Sequence, residues 1–119
     1  PYNELGLTET DRRVDIPNNR LVDAYEEKYG SILLEEDDIR IPLDEKYQQS
    51  LRLPKKNVMD IIINFRDQHL ARNIQLSEFK KILVLYGALH MDGTFTQLKS
   101  LDSRWKKKKS KPGKLYKRG

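Results

Sequence analysis

Across 119 residues, 23 Lys and Arg stand against 18 Asp and Glu, a net charge of +5, with no cysteine and 37% AVILMFWYC. A chain of this size makes one domain of about 100–150 residues rather than two; the lack of cysteine excludes disulfide scaffolds and thiolate metal sites; and the longest apolar runs fall far short of the about 20 residues of a membrane span. The charge is unevenly placed, since residues 1–50 hold 13 acids and 6 bases, whereas residues 99–119 hold ten bases and the single acid Asp102.

Leu, Ile, Val and Phe together number 32, above the roughly 20% level at which disorder becomes the default. They concentrate between Val58 and Leu101, so a modest core is expected there. The fold class predicted is mainly α, a small helical bundle built on a central helix hairpin at about 57–71 and 77–91. Residues 1–18 would form an extended or disordered arm, 19–105 a single helical domain and 106–119 a basic tail.

Residues 1–19 are polar, contain Gly6 and Pro17, and show no sustained period. After Pro17, an Asn side chain is placed to cap a first helix over about 19–29, with Leu21, Val22, Tyr25 and Tyr29 at helical spacing and Gly30 as its stop. Residues 31–53 fit two descriptions. Ile39, Ile41 and Leu43 alternate as in an edge strand, whereas Leu43, Tyr47 and Leu51 are spaced as on a helix.

Beyond Pro54 the pattern is stronger. Val58, Ile61, Ile62, Phe65, His69 and Leu70 line a helix of about 16 residues, widened by Met59 and Ile63. Ser77 is placed to cap a second helix carrying Phe79, Ile82, Leu83, Tyr86 and Leu89, which Asp92-Gly93 would end. Thr94 would then cap a last helix bearing Phe95, Leu98, Leu101 and Trp105, with regular structure stopping at Pro112-Gly113.

The segment SRWKKKKSKPGKLYKRG combines dense positive charge with two aromatics, and polyanions are its natural partner. Lysines that neutralise phosphates release condensed counterions, and aromatic faces stack on exposed bases. The candidate nucleic-acid-binding residues are Lys99, Arg104, Trp105, Lys106, Lys107, Lys108, Lys109, Lys111, Lys114, Tyr116, Lys117 and Arg118. A Lys/Arg address signal would use the same residues, and at helical spacing from Leu98 and Leu101 the Trp105 ring also suits a core anchor. The hairpin invites a major-groove reading through Arg72, Lys80 and Lys81, but its outer face is poor in polar side chains.

The acidic block Glu35, Glu36, Asp37 and Asp38, with Tyr25, Tyr29, Leu33 and Leu34 nearby, is the candidate docking surface for a protein partner. It lacks the alternating oxygens and turn glycine of a calcium loop; Asp92-Gly93-Thr94 matches only a fragment of one. The two histidines, His69 and His90, sit on apolar stripes. No phosphate-binding glycine loop, nucleophile elbow or HExxH is present. The expectation is a non-enzymatic intracellular protein, cytoplasmic or nuclear, without cofactor or metal. It would bind DNA or RNA through its tail, with an adaptor or assembly subunit as the alternative function, and make no membrane contact.

Overall fold

The computed structural model describes residues 6, 8–34, 36, 53–109 and 111. Among them the architecture is mainly helical, with three helices and no strand: α1 (Asn18–Tyr29), α2 (residues 55–75) and α3 (Met91–Leu101), the last preceded by a 3₁₀ turn over Ala88–His90. The residues from 35 to 52, including both descriptions of 39–51, lie outside the described residues apart from Glu36, as do 1–5, 7, 110 and 112–119.

α1 starts where the sequence places it, but by a different device. Pro17 precedes the first turn with no side-chain cap, and its carbonyl accepts the N–H groups of Arg20 and Leu21 at 3.0 and 3.2 Å. The proline ring fixes φ near the helical value and carries no N–H to leave unpaired. At the other end Gly30 adopts φ +99° and donates its N–H to the Glu26 carbonyl at 2.9 Å, a conformation only glycine takes without strain.

α2 begins after Pro54 by the same logic, with Asn57 and Val58 donating to the Pro54 carbonyl. It is not a uniform α-helix. The turns Lys55–Met59 and Arg66–Gln75 are α, and between them Asp60–Phe65 is π-helical. A π turn bonds i to i+5, so the residue above Ile61 is Arg66 rather than Phe65. The buried positions follow this shift. Ile61, Asp67, Leu70 and Ala71 are buried, whereas Phe65 and His69, expected on the apolar stripe, are exposed.

The central hairpin keeps its first arm and loses its predicted second. Residues 77–87 carry no helix, and the helix that packs on α2 is α3, which contacts its C-terminal half. The apolar run there satisfies both periods, and the two-residue one prevails: Ile82 and Val84 are 44% and 39% exposed and Tyr86 is half-buried, while Leu83 and Leu85 are 85% and 81% exposed. Gly93 is likewise no helix stop. It lies inside the first turn of α3, and Thr94 is a buried residue of that helix rather than a new cap.

The apolar core is small and divided. Tyr25 of α1 and Ile61 of the π segment are buried where those two elements pack. Leu70, Ala71 and Leu98 are buried where the end of α2 meets α3. The start of the chain is tied on by charge: the Arg66 guanidinium donates to both oxygens of Asp15, Nε to Oδ1 at 3.0 Å and Nη2 to Oδ2 at 2.7 Å. Tyr86 closes this cluster by donating its hydroxyl to Asp15 Oδ1 at 2.7 Å.

Candidate nucleic-acid interface

The described basic segment leaves α3 at Asp102 and runs to Lys109, with Lys111 beyond it, in no regular structure after the turn at Ser103-Arg104. Three contacts root it on the helices. Arg104 folds back on Asp102, Nε to Oδ1 at 3.0 Å and Nη2 to Oδ2 at 2.7 Å, and this guanidinium together with the Arg104 backbone N–H holds the Asp102 carboxyl down at about 2. Trp105 donates its indole Nε1–H to Oε1 of Gln75, at the end of α2, at 2.6 Å. Lys107 returns to the first turns of α3, with Nζ 3.1 Å from Asp92 Oδ1 and 5.9 Å from the centre of the Phe95 ring.

Lys99, Lys106, Lys108, Lys109 and Lys111 are exposed, and none forms an ion pair with a described residue. The Trp105 ring is fixed at its edge and 36% exposed. It is therefore not the fully enclosed anchor that the spacing from Leu98 and Leu101 suggests. Its orientation is set by the end of α2, and part of its surface stays in solvent. Lys114, Tyr116, Lys117 and Arg118 lie outside the described residues.

The docking candidates divide in the same way. Glu35, Asp37 and Asp38 fall outside the described residues, while Glu36 is described and exposed. Tyr25 is buried against α2 and so is not a surface residue, whereas Leu33 and Leu34 are exposed. Tyr29 donates its hydroxyl to Asp60 Oδ2 at 2.6 Å, and Lys28 Nζ reaches the same oxygen at 2.6 Å. These hydrogen bonds, with a third from Asn64, hold the Asp60 carboxyl well below the usual carboxylate range. The wall between α1 and α2 is an open groove of about 340 Å³ lined by Ala24, Lys28, Asp60, Ile61 and Phe65 among others. The recognition helix expected at 77–91 is not formed: residues 77–87 carry no helix, and Lys80 and Lys81 sit at a bend.

A buried polar cluster escaped the sequence reading. His90 Nδ1 lies 2.7 Å from Asp67 Oδ1, with both side chains enclosed, and Thr94 donates its hydroxyl to the same oxygen at 3.4 Å. With the proton on Nδ1 the imidazole is the donor. The other oxygen, Oδ2, is buried without a hydrogen-bond partner and rests against Gly93: a Cβ there would lie 2.9 Å from Asp67 Cγ and nearer still to Oδ2. Tyr86 packs edge-on to the His90 ring with centroids 4.6 Å apart, linking this cluster to Arg66 and Asp15. The available signal was a carboxylate four residues after Ile63 and three before Leu70, inside an otherwise apolar stripe.

With His90 6% and Asp67 1% exposed, the pair fastens α2 to α3 rather than facing solvent. Among the described residues no group of three His, Asp or Glu is placed to hold a metal ion, and Asp92 and Gly93 belong to a helix rather than a cation loop. No described helix is long and apolar enough to cross a membrane. Comparison with protein-family models, with curated proteins and with solved structures gives no match.

Proposed function

We propose that this is a non-enzymatic nucleic-acid-binding protein whose Lys-rich C-terminal stretch holds DNA or RNA by its phosphates. The observation that carries this reading is the rooted tail. Trp105 on Gln75 and Lys107 on Asp92 fix its first residues against the helices, while Lys106, Lys108, Lys109 and Lys111 remain exposed with no described acid beside them. A tethered row of ammonium groups meets a phosphate chain with less ordering cost than a free one. Residues 1–98 carry 13 bases against 17 acids, so the chain's excess positive charge is concentrated in the tail. Such a protein works where nucleic acid is, in cytoplasm or nucleus.

If about six of the cations meet phosphates, log K against log salt should slope by roughly −4 to −5, at about 0.7–0.9 per neutralised phosphate. Replacing Lys106, Lys108, Lys109 and Lys111 with Gln should flatten that slope by about 3. A slope near zero, or unchanged affinity after deletion of residues 106–119, overturns the reading.

The exposed leucines favour a second reading, an adaptor or assembly subunit. Leu83, Leu85, Leu89 and Leu76, all within residues 76–89, are each more than 80% exposed, and large apolar side chains left in water along one segment suit a contact surface. Partner binding that survives removal of the tail and is lost on Leu83→Lys with Leu85→Lys would support it. Weakening on charge reversal at Glu35 to Asp38 would assign the acidic block to the same contact.

A further inference from the structure

We infer that the nucleic acid held by this tail is single-stranded, and that Trp105 is the platform on which one of its bases stacks. The inference rests on the phosphate-binding reading above and adds the form of the ligand. Its first support is the way the indole is held. The Nε1–H is committed to Gln75, so the ring is fixed by one edge at the end of α2 and not by burial; 36% of the residue remains in solvent. A platform whose orientation is already set loses little freedom when a base lands on it.

The second support is what surrounds the ring. Arg104 precedes it, its side chain 88% exposed beyond Asp102, and Lys106 and Lys108 follow. Lys107 between them is turned back onto Asp92 and Phe95, which leaves the two flanking ammonium groups on the solvent side of the chain. Their Cα atoms stand no more than about 7 Å apart, a separation that suits successive phosphates of an extended strand. Cations and an aromatic face in alternation are what a strand with unstacked bases requires.

The third support is negative and concerns the duplex. Its bases turn their faces to one another, so a ring fastened to the helices reaches none without intercalating. The edge fixed on Gln75 stands against that. The helix expected to enter a groove is not formed, since residues 77–87 carry no helix and Lys80 and Lys81 sit at a bend. Phosphate contacts alone would favour the duplex, whose charge density is higher and whose salt slope per contact is steeper, about 0.9 against 0.7. A preference for single strands therefore reads out stacking and not charge.

Trp105 is the only tryptophan in the chain, so its fluorescence reports the contact directly. The full-length protein is titrated at fixed salt with an oligonucleotide and with the same oligonucleotide annealed to its complement. The expected result is quenching by the single strand, at least ten-fold tighter binding of it than of the duplex, and loss of that preference in Trp105→Leu with the salt slope kept. Trp105→Phe, which retains a π face but cannot bond Gln75, should keep most of the preference, with circular dichroism as the check that both variants are folded. A duplex bound as tightly as the single strand without quenching, or Phe and Leu variants that behave alike, overturns the inference and leaves phosphate binding standing. Absence of salt-dependent binding to either form overturns both.

Discussion

Replacing Gly93 by Ala sets two physical expectations against each other. On propensity alone the change should stabilise α3 by about 0.8–1 kcal/mol, since glycine is the poorest ordinary residue in a helix interior. The structure reverses the sign. The new methyl carbon would stand 2.9 Å from Asp67 Cγ and closer to Oδ2, and that carboxyl group cannot retreat freely because its other oxygen is held by His90 at 2.7 Å. Displacing it overpacks the site and strands a buried polar group, each at about 1–3 kcal/mol and about 4 kcal/mol together at mid-range. The net effect is a loss of about 2–4 kcal/mol, on the order of a 10–20 °C fall in Tm for a domain of this size. Urea unfolding followed by circular dichroism measures it, with Ser100→Ala on the exposed side of the same helix as the propensity reference. In an Asp67→Ala background the penalty at residue 93 should largely vanish, because the methyl then has room. A Gly93→Ala protein as stable as the parent, or an undiminished penalty in the double variant, would refute the cradle.

The remaining predictions concern the ties between elements. Burial raises the Asp15 carboxyl, but hydrogen bonds from Arg66, Tyr86 and its neighbouring backbone outweigh that and hold it at about 2. A carboxyl lowered on folding stabilises the protein above its unfolded value near 4, and that contribution is lost as pH falls from about 4 to 2. With 38% of the Asp15 side chain exposed, the screened effect is about 1 kcal/mol or less; Asp15→Asn should remove this acid-side slope from a stability–pH profile. Tyr86→Phe deletes a hydroxyl bonded to both Asp15 and Arg66 and should lower the unfolding free energy from urea denaturation by about 1 kcal/mol, less than additively with Asp15→Asn. Ala71 has no exposed surface, so Ala71→Leu should overpack the α2–α3 contact by about 1–3 kcal/mol in the same assay. Leu83→Lys with Leu85→Lys should leave stability within about 0.5 kcal/mol at each site, and a larger loss would show that this face is covered in solution.

The helices with hard boundaries were legible. Pro17 and Gly30 bracket α1, and Pro54 opens α2, because a ring that fixes φ and a residue that tolerates positive φ act locally whatever the rest of the chain does. The mainly helical class followed from them. On the inner face of α2, Leu70 was read correctly but Phe65 and His69 were not, because periodicity assumes 3.6 residues per turn, and nothing in Asp60-Ile61-Ile62-Ile63-Asn64-Phe65 announces a wider one. The run from Phe79 to Tyr86 matches helical and alternating spacing equally well. It is settled by long-range bonds from the Tyr86 hydroxyl to Asp15 and Arg66, which no local pattern encodes. Gly93 was taken as a stop because glycine usually ends helices; here its missing Cβ makes room for a carboxyl group from another helix. At the candidate interface the cations were plain in the composition, but the anchorage of Trp105 on Gln75 pairs residues thirty apart in sequence.

The π turn also divides the molecule's cooperativity. Because it rotates the second half of α2 relative to the first, one continuous helix presents separate faces to α1 and α3, with Tyr25 and Ile61 enclosed at one end and Leu70, Ala71 and Leu98 at the other. Local opening follows such partitions. The protein should therefore release amide protons in two populations, those of α1 and the first turns of α2 exchanging together and those around Asp67 and α3 persisting. The basic segment hangs from the second population through Gln75 and Asp92, so it should remain anchored while the opposite end of the fold breathes.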